Sequence, residues 1–244
     1  MKQAHCRILA SGLLSSGHGL LQVDCTPLAQ PARAGQFLMV RLGSDLAEAL
    51  RRPLFFSRGG HIGQLLFHAS APWQQELARL QPEETLDVLG PLGQPFILRP
   101  GANHLLVLAL TEPVAPAFAV AYWAQRQQAT VSVLLGRQEW QPLADLLPAA
   151  VECGIAPSQA NAPPASSLQW ADQVFAVVTP EQLPALSAAI TSARLRLSTG
   201  FAQVLLPADF ACGVGACGAC TLHIGRLNRR ICADGPIFDL SELL

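Results

Sequence analysis

Charged side chains are scarce in this sequence of 244 residues. Asp, Glu, Lys and Arg make up 14% of it, well under the roughly 25% usual for soluble domains. The net charge is only -1 at pH 7, which excludes the basic surface that nucleic-acid binding requires. Because 50% of the residues are apolar, we expect a partner subunit to cover part of the surface. An alanine-rich sequence without a partner would have a similar composition.

Long apolar runs are also missing. The longest candidate, Leu105 to Ala124, is interrupted by Glu112, Pro113 and Pro116, and a transmembrane helix needs about 18 uninterrupted apolar residues. The N-terminus shows no signal-peptide pattern. Four of the seven cysteines lie within 21 residues, which indicates ligand chemistry in a reducing compartment and not a disulfide framework. We therefore expect a cytoplasmic protein without membrane insertion.

Three regions of different pattern predict a multi-domain fold. Residues 1–98 hold short strand-like runs between Pro and Gly, typical of a small antiparallel β-barrel. Residues 99–200 alternate buried strands with helices, typical of a parallel α/β sheet, and residues 201–244 hold the cysteine cluster. The predicted strands are 19–24, 35–41, 64–68, 85–89, 105–110, 130–135 and 174–178. The predicted helices are 72–80, 115–128, 143–147 and 181–192, and a Pro/Ala/Ser-rich loop is predicted at 154–167.

The cysteine cluster has the spacing of an iron–sulfur loop. Its residues Cys212, Cys217, Cys220 and Cys232 read C-x4-C-x2-C, followed by eleven residues and the last cysteine. A [2Fe–2S] cluster needs four thiolates, two for each iron, and plant-type ferredoxins use this loop spacing. Glycines at 213, 215 and 218 allow the backbone to curl around the cluster and to direct N–H groups at sulfur. A β-hairpin turning near Gly225 would return Cys232 to the loop.

Structural zinc is the alternative, because zinc also binds four cysteines. Zinc sites, however, usually offer two short knuckles, whereas three of these cysteines share one glycine-rich loop. The sequence therefore favours the [2Fe–2S] cluster. The isolated Cys6, Cys25 and Cys153 are expected to be small buried apolar residues.

The tail from Cys212 to Leu240 resembles the electron-transfer subunit of dihydroorotate dehydrogenase, the PyrK family. The order of the regions and the overall length resemble that family too. The resemblance implies a ferredoxin reductase-type flavoprotein: an FAD-binding barrel, a nicotinamide-type α/β domain and a C-terminal [2Fe–2S] domain. It also implies docking on a catalytic flavoprotein as part of a hetero-oligomer, with electrons relayed between that partner and NAD.

The same resemblance implies a set of FAD-binding residues in the barrel. The run Arg51-Arg52-Pro53-Leu54 resembles the start of the family's Arg-Pro-x-Ser flavin motif, although Phe55 stands at the serine position. An arginine there would neutralise the FAD pyrophosphate. The predicted FAD-binding residues are Arg52, Pro53, Leu54, Phe55, Ser57, Ser70, Gly90 and Gly93. Taken singly, the glycines also fit an ordinary turn, and Arg51 and Arg52 also fit surface charges.

Two departures from the family pattern affect the dinucleotide sites. The family's Gly-x-Gly-Thr turn near the FAD phosphates is replaced by residues 70–73, Ser-Ala-Pro-Trp, where Pro72 has no N–H to donate. Ser70 or the amides after Pro72 are the expected substitutes. The turn after the first α/β strand, residues 109–116, has no glycine, and Glu112 would repel phosphate. The family's Cys-Gly-Pro is replaced by Val178-Thr179-Pro180. We therefore expect a degenerate domain that does not bind NAD.

Three functions follow from these patterns. The leading hypothesis is an electron-transfer subunit with FAD and the [2Fe–2S] cluster, without catalytic residues of its own, since turnover belongs to the partner. The alternative is a flavin-free iron–sulfur docking subunit of a redox complex. A third possibility, an independent NAD(P)H:acceptor reductase, conflicts with the missing glycines.

Overall fold

The computed structural model describes residues 2–28, 30–42, 50–157, 163–224 and 227–244. The chain forms two compact units: Met1–Pro95 with Ala208–Pro236, and Phe96–Pro207 with Ile237–Leu244. The cysteine segment thus belongs to the same unit as the N-terminal residues. The predicted domain limits 1–98, 99–200 and 201–244 remain a prediction, and the compact units group the C-terminal residues differently.

The first unit contains a closed barrel of six antiparallel strands, in the order β1-β2-β5-β4-β3-β6. This confirms the predicted barrel. The strands are β1 (Lys2–Leu13), β2 (His18–Asp24), β3 (Phe37–Arg41), β4 (Arg52–Arg58), β5 (Ile62–His68) and β6 (Thr85–Leu92). Helix α1 (Pro72–Leu77) connects β5 to β6 and ends three residues before the predicted helix.

Alternating apolar side chains fill the barrel. On β3 and β4, Leu38, Val40, Leu54 and Phe56 belong to the barrel core, as expected for strands with a period of two. Cys6 and Cys25 are buried in the same core, which agrees with their expected role as small apolar residues. The core of the barrel is therefore occupied by protein side chains.

An ion-pair cluster holds three strands together at the barrel wall. The Asp87 carboxylate on β6 accepts hydrogen bonds from Arg51 at 2.8 and 2.9 Å and from Arg41 at 2.7 Å. The Asp87 side chain is 8% exposed. Burial raises the pKa of this carboxyl, but the two arginines outweigh burial and hold the pKa below its usual range.

The second unit is a six-stranded sheet in the order β14-β11-β10-β7-β8-β9. Five strands are parallel: β7 (His104–Ala109), β8 (Thr130–Leu135), β9 (Glu152–Ile155), β10 (Gln173–Val177) and β11 (Ala202–Leu205). Every residue of β10 is buried, as expected of a central strand with both faces covered. The helices are α2 (Ala115–Arg126), α3 (Ala165–Trp170) and α4 (Leu183–Arg194).

The helices depart from the sequence predictions at their ends. Residues 138–146 form a 3₁₀-helix that includes Pro142, where the prediction placed a helix at 143–147. A 3₁₀ turn at Pro180–Gln182 precedes α4. Helix α3 begins inside the predicted loop 154–167, and residues 158–162 of that loop lie outside the described residues. No helix in the described ranges is long and apolar enough to cross a membrane.

The C-terminal residues are divided between the two units: Ala208–Pro236 belong to the first and Ile237–Leu244 to the second. A two-stranded hairpin, β12 (Thr221–Ile224) and β13 (Leu227–Arg230), is followed by the short helix α5 (Ile231–Asp234). The hairpin is as predicted, while its turn near Gly225 lies outside the described residues. Strand β14 (Ile237–Asp239) then pairs antiparallel with β11 and completes the α/β sheet.

Candidate functional site

The four clustered cysteines lie on one loop and on the short helix after the hairpin. Cys212, Cys217 and Cys220 belong to the loop at 211–220, and Cys232 is the second residue of α5. Because β12 and β13 pair, the chain returns to the loop, where the Ile231 amide donates to the Cys220 carbonyl oxygen at 3.0 Å. The structure thus brings the four predicted ligands together.

The four sulfur atoms form two pairs. The thiols of Cys212 and Cys217 are hydrogen-bonding neighbours, and so are those of Cys220 and Cys232. Cys217 is exposed, whereas Cys220 and Cys232 are buried. In the part of the chain that the structure describes, no three His, Cys, Asp or Glu side chains are grouped as ligands of a single ion. Two thiols in each pair match the two thiolates that each iron of a [2Fe–2S] cluster needs.

Backbone N–H groups are directed at these sulfurs. The Gly215 amide donates to Cys232 Sγ at 3.2 Å, the Cys232 amide to Cys220 Sγ at 3.4 Å, and the Val214 amide to Cys212 Sγ at 3.5 Å. Such hydrogen bonds stabilise negative charge on sulfur. The loop therefore fits an anionic iron–sulfur cluster in its hydrogen-bond donors as well as in its thiols.

The pKa values of Cys212 and Cys232 are shifted in opposite directions. Burial raises the pKa of the Cys212 thiol, but hydrogen bonds from Cys217 and from the Val214 amide outweigh burial and lower this pKa to about 6. Burial, and then the neighbouring Cys220 thiol, raise the pKa of Cys232 to about 12, against the opposing effect of the Gly215 amide. The Cys212 thiol thus ionises more readily than an ordinary thiol, while the Cys232 thiol would need the positive charge of a bound metal to become thiolate.

The loop lies directly on the outer face of the barrel. Gly213 has a φ of +71°, and a Cβ at this position would lie 2.4 Å from Met39 Cγ on β3. The Phe210 ring packs on Phe37 with 4.8 Å between the ring centroids. On the other side of the loop, the Gln94 side chain donates to the Ala233 carbonyl oxygen at 3.3 Å. The barrel therefore provides a rigid support for the cysteine loop.

The C-terminal residues match a known domain. Residues 208–244 match the family model of the iron–sulfur cluster binding domain of dihydroorotate dehydrogenase B. This C-terminal segment is therefore similar to an iron–sulfur domain of that enzyme. Over its length, the chain is similar to the electron transfer subunit of dihydroorotate dehydrogenase B (NAD(+)) from Bacillus caldolyticus, with 28% identity over 229 residues and 86% of each chain covered. The corresponding subunit from Desulforamulus reducens is 25% identical over 247 residues, covering 95% of this chain and 94% of that subunit.

Solved structures show the same fold. A chain of the NADH-dependent reduced ferredoxin-NADP oxidoreductase superposes with a TM-score of 0.75 and 19% identity, covering 99% of this chain and 90% of that chain. The ferredoxin NADP+ reductase from Neisseria gonorrhoeae, solved with bound FAD and NADP, has a TM-score of 0.58 and 13% identity, covering 84% and 99%. The barrel and parallel sheet that accompany the iron–sulfur domain therefore have the ferredoxin reductase fold, as the sequence resemblance implied.

One of the predicted FAD residues has its charged end at the surface of the barrel. The guanidinium of Arg52 lies over the Trp73 ring, 5.1 Å from its centroid. These two residues line a cavity of about 30 Å³ together with Val40, Leu42 and Leu50. The Arg52 charge could meet a phosphate group at this surface, but a cavity of this size has room for about one water molecule and not for a flavin ring.

Other predicted FAD residues serve the packing of the barrel. Leu54 lies in the barrel core, and Phe55 packs on Phe37 with 5.5 Å between centroids. The Ser57 hydroxyl is buried and donates to the Gln64 carbonyl oxygen at 3.2 Å. Pro53 pairs with Met39 in the β3–β4 ladder. The side chains or backbone at these positions contact other residues of the same chain. Their role as flavin-binding residues stays a prediction.

The predicted glycines fit close packing. A Cβ on Gly90 would lie 2.5 Å from Leu38 Cδ2, and one on Gly93 would lie 2.6 Å from Pro236 Cδ. Gly93 also has a φ of +80°. Gly93 is thus required where the tail of the iron–sulfur domain crosses the end of β6.

The expected substitutes for the missing phosphate turn are engaged within α1. The Ser70 hydroxyl and the Ala71 amide both donate to Gln74 Oε1, at 3.3 and 2.9 Å. The Gln74 side chain thus caps this short helix and uses two of the donors that the sequence offered for phosphate. Ser70 remains an untested prediction as a flavin-binding residue.

A carboxylate lies at the start of α2 in the α/β unit. Glu112 Oε2 accepts from the Val114 amide at 3.1 Å. In a dinucleotide-binding domain this end of the helix receives the pyrophosphate. The Thr179 amide after β10 likewise donates to Gln182 Oε1 at 2.8 Å. Both observations agree with the expectation that this chain does not bind NAD.

Sequence reasoning missed two residues beside the cysteines. Arg230 forms hydrogen bonds with both carboxylate oxygens of Asp234 and with the Gly215 carbonyl oxygen. The available signal was the pair of opposite charges four residues apart, although Arg230 ends β13 and precedes the short helix that Asp234 ends. The same reasoning missed that Arg51 is a partner of Asp87 and not a free surface charge.

Proposed function

We propose that this chain is an electron-transfer subunit that relays electrons through FAD and a [2Fe–2S] cluster to or from a catalytic flavoprotein of the dihydroorotate dehydrogenase type. The observation that carries the proposal is the set of two thiol pairs, on a loop with amide donors, in a segment that matches the iron–sulfur domain of that enzyme. The names of the curated relatives support the partner.

Cys212, Cys217, Cys220 and Cys232 would hold the cluster, and Arg52 with Trp73 would contact the FAD. The cluster exchanges single electrons, and the flavin converts between one- and two-electron transfer. The residues of the chain supply position and environment. The amides of Val214, Gly215 and Cys232 stabilise charge on sulfur, and the barrel keeps water from the two buried thiols.

The partner would approach the exposed side of the loop. Cys217 is exposed, and Val214 beside it is 37% exposed although it is apolar. An apolar residue next to a solvent-facing ligand suits a protein–protein contact through which electrons pass. We therefore propose that the chain belongs to a cytoplasmic hetero-oligomer in which the partner oxidises the substrate and this chain does not bind NAD.

Chemical analysis of the chain purified without air tests the proposal. We expect iron, acid-labile sulfide and released FAD in the same preparation, with the absorption bands of both cofactors. Addition of NADH to the isolated chain should leave the bands unchanged. Colourless protein, or protein that holds zinc, contradicts the proposal. Rapid bleaching of the bands by NADH contradicts the inference that Glu112 prevents NAD binding.

A flavin-free iron–sulfur docking subunit is the second candidate. The contacts of Phe55, Ser57 and Ser70 favour it, because these residues bond within the protein at the positions where the family resemblance implied FAD contacts. Iron and sulfide without flavin, in protein supplied with excess FAD, would support this second function.

A further inference from the structure

The Arg230 guanidinium joins two parts of the cysteine region. Its Nε and Nη2 donate to the Asp234 carboxylate at 3.2 and 3.1 Å, and its Nη1 donates to the Gly215 carbonyl oxygen at 3.3 Å. The Asp234 carboxylate also accepts from the Arg230 amide at 2.8 Å. The guanidinium is thus fixed on α5 while it holds a peptide of the loop.

Gly215 also contacts a predicted ligand, through its N–H in the preceding peptide group. The N–H of Gly215 donates to Cys232 Sγ at 3.2 Å, while its own carbonyl oxygen accepts from Arg230. Gly215 has a φ of +75°, and a Cβ here would lie 2.9 Å from Ala233 Cβ and 3.2 Å from Arg230 Nη1. The absence of a side chain at residue 215 therefore allows the arginine to lie against the loop.

We propose that Arg230, fixed by Asp234, is a positioning residue that holds Gly215 through its carbonyl oxygen, keeps the N–H of the same residue directed at the Cys232 sulfur, and thereby raises the reduction potential of the bound cluster. This inference rests on the proposed function, since it requires the cluster. An N–H donor and a positive charge near sulfur both favour the reduced, more negative cluster. The Lys side chain has a single charged group, so it cannot hold Asp234 and Gly215 with the same forked geometry.

The charge of Arg230 alone is expected to be the smaller part of the effect. Its side chain is 49% exposed, and water and salt screen exposed charges strongly. The hydrogen bonds to Asp234, followed by the nearby Cys232 and Cys220, raise the pKa of Arg230, so the guanidinium stays protonated. The fixed position of the Gly215 N–H is then the feature that a lysine would fail to keep.

The test compares the whole chain, purified without air, as wild type, Arg230→Gln, Arg230→Lys and Arg229→Gln. The last variant is the control, because it removes an equal charge from an adjacent residue that also acts on Asp234. Iron and sulfide content are measured first, and the midpoint potential is then followed by electron paramagnetic resonance. Removal of iron by a chelator is timed for each variant.

We expect lower midpoint potentials in both Arg230 variants and a smaller change in Arg229→Gln. Iron should leave both Arg230 variants faster, on the order of tenfold for the loss of one charge-assisted hydrogen bond. A wild-type potential in Arg230→Lys, or an equal change in Arg229→Gln, overturns the positioning role and leaves the proposed function intact. Wild-type protein without iron overturns the proposed function, and this inference with it.

Discussion

The cysteine loop and the barrel surface around Arg52 make an instructive comparison. The cysteines were predicted from their own spacing and the flavin residues from a family resemblance. The structure pairs the cysteines on one loop and one short helix, but the barrel residues take part in several packing contacts. The cysteine motif fixes its geometry locally, through loop length, glycines and one hairpin. The flavin motif depends on strand faces and on turns far away in the sequence, and here those turns are replaced. The five predictions below test this difference, from the largest expected effect to the smallest.

Removing a cysteine should have the largest effect. Replacement Cys217→Ser takes away one of four thiolates, so we expect loss of the cluster absorption and of most of the iron. The matched control is Cys153→Ser, because Cys153 lies on β9 away from the motif. If iron and colour survive in Cys217→Ser, the ligand assignment is wrong.

Removing the carboxylate beneath Arg51 should destabilise the barrel unit. In Asp87→Asn, two arginines lose their buried partner, and we expect a loss of about 3 kcal/mol in the free energy of unfolding, measured with urea. The control Asp24→Asn breaks the exposed pair with Arg7 at 3.8 Å and should cost less than about 1 kcal/mol. An equal loss of stability in Asp87→Asn and Asp24→Asn would mean that Arg51 is not held by Asp87. Arg51 would then again be a candidate for flavin binding.

The same carboxylate gives a pH dependence. Its pKa in the folded protein lies below the usual 3.8, so its contribution to stability is fully present above that value. The contribution is lost as the pH falls from about 3.8 through the lowered pKa. Urea titrations across this range should show a steeper loss of stability in the wild type than in Asp87→Asn.

Glycine substitutions separate backbone conformation from contact with the barrel. Gly213 and Gly218 share a positive φ, of +71° and +72°. A Cβ at 213 would press on Met39, whereas a Cβ at 218 would meet Thr221 Oγ1 at 3.8 Å. We expect the free energy of unfolding to fall by about 1 kcal/mol in both alanine variants because of backbone strain. In Gly213→Ala it should fall by about 1–2 kcal/mol more, because the new Cβ crowds Met39.

Thermal unfolding of the two alanine variants, prepared without air, provides the measurement. A lower melting temperature is expected for Gly213→Ala than for Gly218→Ala. A lower melting temperature for Gly218→Ala than for Gly213→Ala would show that the loop does not pack against β3.

Removing Arg52 should have the smallest effect. Without its charge-assisted contacts to a phosphate, Arg52→Ala should weaken FAD binding by about tenfold, measured from flavin retained on dilution. Arg79→Ala, at an exposed arginine just after α1, is the control. Full FAD retention in Arg52→Ala would place the flavin phosphates elsewhere, while iron content should be unchanged in both variants.

The sequence predicted the fold class, a small antiparallel barrel and a cysteine cluster, because each has a local or periodic signature; of the six barrel strands, β1 and β4 were not predicted. The apolar runs of β7 and β10 show no alternation, and this pattern is the expected result of burial on both faces. Strand β14 could not be predicted, since its three residues gain their partner β11 only through the tertiary fold. The contacts of the predicted flavin residues could not be predicted for a similar reason. A serine such as Ser57 can bond within the barrel or to a ligand, depending on its neighbours in space, and here its hydroxyl donates to the Gln64 carbonyl oxygen.

The connectivity described above has a consequence for engineering. The redox-carrying unit consists of Met1–Pro95 and Ala208–Pro236, and the residues of the α/β sheet intervene between the two. A truncation after Pro95 would therefore yield a barrel stripped of its cysteine loop, with Met39 and Phe37 laid bare. A minimal electron carrier would instead need Phe96–Pro207 replaced by a short linker. The reason is that the two segments of this unit are separate in the sequence but form one compact body.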